Sequence, residues 1–167
     1  MKCNKSVESL TIFLGKGLLR ERLFATMATS GGWSSIHELV LQEDSHHIYC
    51  VRVTRRRSKM SEGLSNFILQ CENLRTLELG MTGDETTPII EILSLNVTKV
   101  QRLSITTPLI SSMTNGGRRF ATALERCTCI TELRLDLAIR DTPEFFQMLF
   151  IESIPKMLGL KKIELAI

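Results

Sequence analysis

Apolar residues recur in the spacing apolar-x-x-apolar-x-apolar at Val7/Leu10/Ile12, Ile36/Leu39/Leu41, Leu74/Leu77/Leu79, Val100/Leu103/Ile105, Ile130/Leu133/Leu135 and Leu160/Ile163/Leu165. Successive hexamers start 29, 38, 26, 30 and 30 residues apart, so one insertion stands before Leu74. The second and third apolar positions are two apart, and on a pleated strand such residues share a face while their neighbours take the other. Each hexamer predicts a short strand, apolar on one side and polar on the other.

The segments between carry helical spacing. Leu64, Phe67, Ile68 and Cys71 precede Leu74 at the same offsets at which Phe120, Ala123, Leu124 and Cys127 precede Ile130, and such a stripe is one helical face. Ile90, Leu93 and Val97 keep three of the four positions before Val100, with Ser94 breaking the fourth. Phe150, Ile154 and Met157 keep three before Leu160, with Ser153 as the exception. A first helix is predicted over Leu18 to Thr29, with Leu19, Leu23, Phe24 and Met27 inward and Ser30-Gly31-Gly32 as its stop. Thr87-Pro88 and Thr142-Pro143 read as N-cap and first helical residue, and Asn115-Gly116-Gly117 as the turn before another helix.

One strand and one amphipathic helix form a slice that is open on both sides, so stacking must complete the core. Helical connections of this length make successive strands parallel with right-handed crossovers. The expected fold is α/β: a solenoid with a curved parallel sheet and outer helices, in about six degenerate repeats forming one domain over residues 1–167. A doubly wound α/β domain uses the same alternation, but wants longer apolar strands and a glycine-rich first turn. Gly15-Lys16-Gly17 satisfies neither the dinucleotide fingerprint nor a P-loop.

The hexamers resemble the Leu-x-x-Leu-x-Leu core of the leucine-rich repeat family, and the period with a full helix is similar to its ribonuclease-inhibitor-like class. Gln70-Cys71-Glu72-Asn73-Leu74-Arg75-Thr76-Leu77-Glu78-Leu79 and Cys127-Thr128-Cys129-Ile130-Thr131-Glu132-Leu133-Arg134-Leu135 also resemble the cysteine-containing repeats of F-box substrate receptors. The family places Asn or Cys three residues beyond the last leucine. This chain has Gly15, Asp44, Thr82, Pro108 and Ala138 there, so its turns must be satisfied in another way.

The resemblance implies that the concave sheet face is the recognition surface. The pleat then supplies the candidate residues, in one column through Glu38, Thr76, Arg102, Glu132 and Lys162 and a second through Val40, Glu78, Ser104, Arg134 and Glu164, with Ser9 and Thr11 heading them. Opposite charges alternate over the last three strands in the first column, through Arg102, Glu132 and Lys162, and Arg134 faces Glu164 in the second. This mixture suits another protein better than a phosphate backbone.

Charge changes the picture at one place. The chain has 21 basic and 18 acidic residues and a net charge of +3, too balanced to make the whole surface a nucleic-acid or membrane binder. Arg52, Arg55, Arg56, Arg57 and Lys59 cluster in a basic insertion loop over 45–60. Such a cluster can attract phosphates, an import receptor or an acidic protein, which supplies the alternative reading of a nucleic-acid or nuclear-transport adaptor. Arg55-Arg56-Arg57-Ser58 also looks like a basophilic kinase site.

Candidate chemistry adds little. His46, His47 and Cys50 lack a second ligand pair at structural-zinc spacing. Cys71 and Cys127 share a repeat position with Trp33, Val97 and Met157, which fits core hydrophobes better than ligands or anchors. No Gly-x-Ser-x-Gly elbow occurs, so no catalytic, cofactor or metal residue is assigned and the chain reads as noncatalytic. Five cysteines at irregular spacing, no signal-peptide core and no apolar run of membrane-spanning length imply an intracellular protein, cytoplasmic or nuclear. With no capping helix before Val7 or after Leu165, the solenoid is expected to be a piece of a longer one, a truncated product, or self-associating end to end.

Overall fold

The computed structural model describes residues 7–14, 19–43, 59–81, 83–107, 115–137 and 143–166. Six strands form one sheet: β1 (Ser9–Leu14), β2 (Glu38–Glu43), β3 (Thr76–Gly80), β4 (Arg102–Thr107), β5 (Glu132–Leu137) and β6 (Lys162–Ala166). They lie in chain order, and every neighbouring pair is parallel. Between them run α1 (Leu19–Ser30), α2 (Lys59–Gln70), α3 (Gly83–Leu93), α4 (Asn115–Glu125) and α5 (Pro143–Phe146), the last continuing as a π-helical segment Gln147–Ser153 and a 3-10 turn Ile154–Lys156. The chain is therefore an α/β protein with a single open parallel sheet.

The hexamer leucines form the core. Leu39, Leu41, Leu77, Leu79, Leu103, Ile105, Leu133 and Leu135 are buried beneath Phe24, Phe67, Phe120 and Phe145 of the helices. Consecutive helices pack on one another, closely between α1 and α2, where a Cβ on Gly63 would lie 3.1 Å from the Ala25 backbone nitrogen. Across the helix layer, the Arg119 guanidinium makes two 2.9 Å bonds to the Glu91 carboxylate, and Lys156 lies 3.3 Å from Glu125. Glu125 thus ties α4 to the next turn of chain.

One arrangement of backbone bonds recurs before every strand from β2 on. The carbonyls of Glu8, His37, Arg75, Gln101 and Thr131 each accept N–H groups from two successive residues of the next strand's start, at 2.8 to 3.1 Å. Asparagines tie adjacent helix-to-strand turns together: Asn73 Nδ2 donates to the Ser34 carbonyl, while Asn96 donates to the Arg126 carbonyl and accepts from the Thr128 N–H. The five positions of the family's asparagine lie outside the described residues.

Several local expectations change. Helix α3 begins at Gly83, so Thr87 is no N-cap, Pro88 lies inside the helix, and both Thr86 and Thr87 are buried. Asn115, Gly116 and Gly117 form the first turn of α4 instead of a turn before it. Leu23 is 43% exposed and Val97 64% exposed, although both were expected inward. Val97 escapes because α3 stops at Leu93 and the chain swings outward at Asn96, whose φ is +54°.

Before β6, Phe150 and Ile154, expected inward, are partly buried and pack against the core, while the fully buried residues are Phe145, Leu149, Ser153 and Met157. They are four apart because a π-helix has more residues per turn than an α-helix, which keeps i and i+4 aligned over the segment. The glycine stop of α1 agrees with expectation, Gly31 and Gly32 both having positive φ. Lys59 and Met60, assigned to the basic loop 45–60, are the first residues of α2, whereas Arg52, Arg55, Arg56 and Arg57 lie outside the described residues.

Candidate interaction face

Parallel pairing without a register slip turns sequence columns into physical rows. Glu38 pairs with Thr76, Thr76 with Arg102, Arg102 with Glu132, and Glu132 with Lys162; Val40, Glu78, Ser104, Arg134 and Glu164 form the second row. Their side chains stand on the face away from the helices because the leucines between them fill the core. A shallow groove of about 220 Å³ runs over this face. Nine of the ten residues expected from the sequence line it; Val40 is the exception, and Leu103 and Leu133 are additions at its floor. Their buried side chains face the helices, so the pleat that gave the groove's walls did not point to them.

The charges are less mutually satisfied than the alternating rows imply. The ion pair on this face lies within a strand, Lys162 Nζ donating to Glu164 Oε1 at 2.6 Å. That hydrogen bond raises the Lys162 pKa, with Glu132 adding to the effect, and lowers that of Glu164, with Arg134 adding. Glu38 accepts a 2.9 Å bond from Ser9. Among the described residues, Glu78, Arg102, Glu132 and Arg134 form no ion pair. The expected cross-strand charge ladder is present in register but not in contact, since exposed side chains gain little by ordering into pairs.

The remaining candidates resolve into structural roles or fall outside view. Trp33 is partly buried, its ring edge on Phe67, and its indole N–H donates to the Met27 carbonyl at the end of α1, at 2.8 Å. Burial pushes the Cys71 thiol up to about 11 and the Cys127 thiol, helped by Cys129, to about 12, which makes both poor nucleophiles. His37 Nδ1 stands 3.2 Å from the Asn73 carbonyl, a bond that places the proton on Nδ1. His46, His47 and Cys50 lie outside the described residues, within which no three acidic, histidine or cysteine side chains could hold a metal ion. No described helix is long and apolar enough to cross a membrane.

No protein-family model matches the chain, and no curated protein matches it. What bears on function is the geometry of the open face.

Proposed function

We propose that this chain is a leucine-rich-repeat-like solenoid of the ribonuclease-inhibitor-like kind, and that it acts as a noncatalytic module binding another protein on the open face of its sheet. The supporting observation is that Glu78, Arg102, Glu132 and Arg134 stand side by side on three strands, exposed and without ion pairs among the described residues. Charges of both signs, held at fixed strand spacing above a groove, can be matched by a partner surface with the inverse pattern. Such complementarity favours specificity and association rate. A substrate-receptor or sensor fragment is the role that fits a face of this kind without catalytic groups.

The test is binding by charge-reversed variants. Glu132→Lys places three cations in a row with Arg102 and Lys162, and Arg134→Glu sets a second carboxylate beside Glu164. Both should lose a protein captured by the unaltered chain while keeping its melting temperature. Arg118→Glu, on the exposed side of α4, should retain it. Equal capture by all three variants would remove the open face from consideration.

A further inference from the structure

The two outer edges of the sheet are complementary to each other. We propose that copies of this chain join head to tail, β6 of one copy pairing in parallel with β1 of the next in the register the sheet uses internally. This goes beyond the function above, since it uses the edges and leaves the open face free.

The backbone makes the first case. Each internal junction joins a carbonyl one residue ahead of a strand to the N–H groups of the residue ahead of the next strand and of that strand's first residue. Lys161 holds the acceptor position before β6, and Glu8 and Ser9 hold the donor positions at the start of β1. No described strand meets the outer edge of either. One end presents the acceptor and the other presents the donors, in the same parallel sense.

Side chains follow the same register. Continuing the internal pairing sets Lys161 opposite Glu8 of the next copy, Lys162 opposite Ser9 and Glu164 opposite Thr11. The first is a pair of opposite charges, and no like charges meet. Ile163 falls opposite Leu10 and Leu165 opposite Ile12, so the two apolar rows of the core continue across the join. That continuity answers an exposure: Ile163 is 39% and Leu165 46% exposed, while their row neighbours Leu133 and Leu135 are buried.

The helix layer closes as well. Among the described residues the last helical segment lies between β5 and β6, and α1 lies between β1 and β2. Two strand spacings come to about 9.6 Å, within the roughly 8 to 10 Å at which helices pack, so a locally flat join brings the last helical segment against α1 of the next copy. Each helical element carries an exposed apolar side chain. Ile151, 69% exposed, precedes Leu160 by the same offset at which buried Ala121 precedes Ile130. Leu23 points to the side of α1 away from Ala25, whose backbone meets Gly63 of α2.

Because the two contacting surfaces differ, each added copy leaves one of each unsatisfied, and the product is an open chain or a closed ring. Sedimentation velocity of the purified 167-residue chain from micromolar to millimolar concentration should show species growing with concentration. Ile12→Lys blocks the β1 end and Leu165→Lys the β6 end. Each variant alone should remain monomeric, and an equimolar mixture should form one-to-one pairs and stop, since each variant retains one competent end.

Lys161→Glu is fully at the surface and should fold normally; facing Glu8, it should weaken assembly by about fivefold, and adding Glu8→Lys should restore it. This pair of variants decides the matter if circular dichroism shows that Leu165→Lys or Ile12→Lys does not fold. The proposal is overturned by a chain that stays monomeric throughout. It is equally overturned by a folded blocked variant that dimerises alone, or by assembly indifferent to Lys161→Glu.

Discussion

Leu77→Ala tests the strand phase on which both the core and the open face depend. Leu77 is fully buried, with Leu39 and Leu103 as its row neighbours. The substitution removes three carbon atoms, and at about 0.8 kcal/mol per buried methylene the lost transfer energy is about 2.4 kcal/mol. A residual cavity adds to this, since the strands on either side are held by their own hydrogen bonds, and the total should fall at about 3 to 4 kcal/mol. Ile163→Ala, in the same row but 39% exposed, should cost about 1 to 1.5 kcal/mol, because less surface is taken from water and a half-open site leaves no sealed void. Glu78→Ala, next to Leu77 but on the other face and without an ion pair among the described residues, should stay within about 0.5 kcal/mol. Urea unfolding followed by circular dichroism at low protein concentration separates the three, the Leu77 variant moving the midpoint down by about 1 to 2 M. If Glu78→Ala proved as damaging as Leu77→Ala, the assignment of faces would be wrong. If Ile163→Ala matched Leu77→Ala, β6 would be covered in the monomer.

Two further outcomes follow from close packing and from burial. A Cβ on Gly159 would lie 2.3 Å from the Thr128 carbonyl oxygen and 3.3 Å from that of Ile130, so Gly159→Ala must displace backbone and should lower stability by about 1 to 3 kcal/mol in the same urea assay; a neutral result would contradict that approach. Cys71 and Cys127 retain their protons in the folded chain to about pH 11 and 12, against 9.0 as the ordinary value, so folding keeps protons that the unfolded chain releases. Stability from these thiols is complete below pH 9 and is lost as pH rises toward 11 and 12, and Cys127→Ala should flatten the decline of melting temperature over that window; an unchanged slope would show the thiol to be accessible.

The sheet was legible because its information is periodic and local. A hexamer with leucines two apart fixes which residues face the core, and six hexamers in phase fix which residues become neighbours; Arg102, Glu132 and Lys162 could be placed in one row without coordinates. The helix ends resisted for the opposite reason. Thr87-Pro88 has the composition of a helix start, yet the core accepts Ile89 and Ile90 only on a helix already under way, and this tertiary demand overrode the local signal. Val97 kept the stripe's spacing but not its helix, because Asn96 adopts a left-handed backbone that nothing in the apolar pattern announces. The π-helical segment was hidden for a similar reason, since the count of residues per turn is assumed when a stripe is read, so Phe145 and Leu149 went unassigned while Phe150 came out only partly buried. In the charge rows, sequence gave positions and signs, while contact between the side chains depended on rotamers that an exposed surface leaves free.

The paired hydrogen bonds ahead of each strand have a consequence for how such a chain can vary. The residues at that position are Glu8, His37, Arg75, Gln101, Thr131 and Lys161, six different side chains in six places. Their common task is carried by a carbonyl and the N–H groups it receives, which every residue but proline can supply in full. The strands are thereby aligned by backbone alone at these positions, and the residue that follows in each strand from β2 on lines the groove. Inheritance can rewrite the rim one side chain at a time while the strands keep their places, so surfaces of new specificity lie a few substitutions apart, with no intermediate that must first lose its fold.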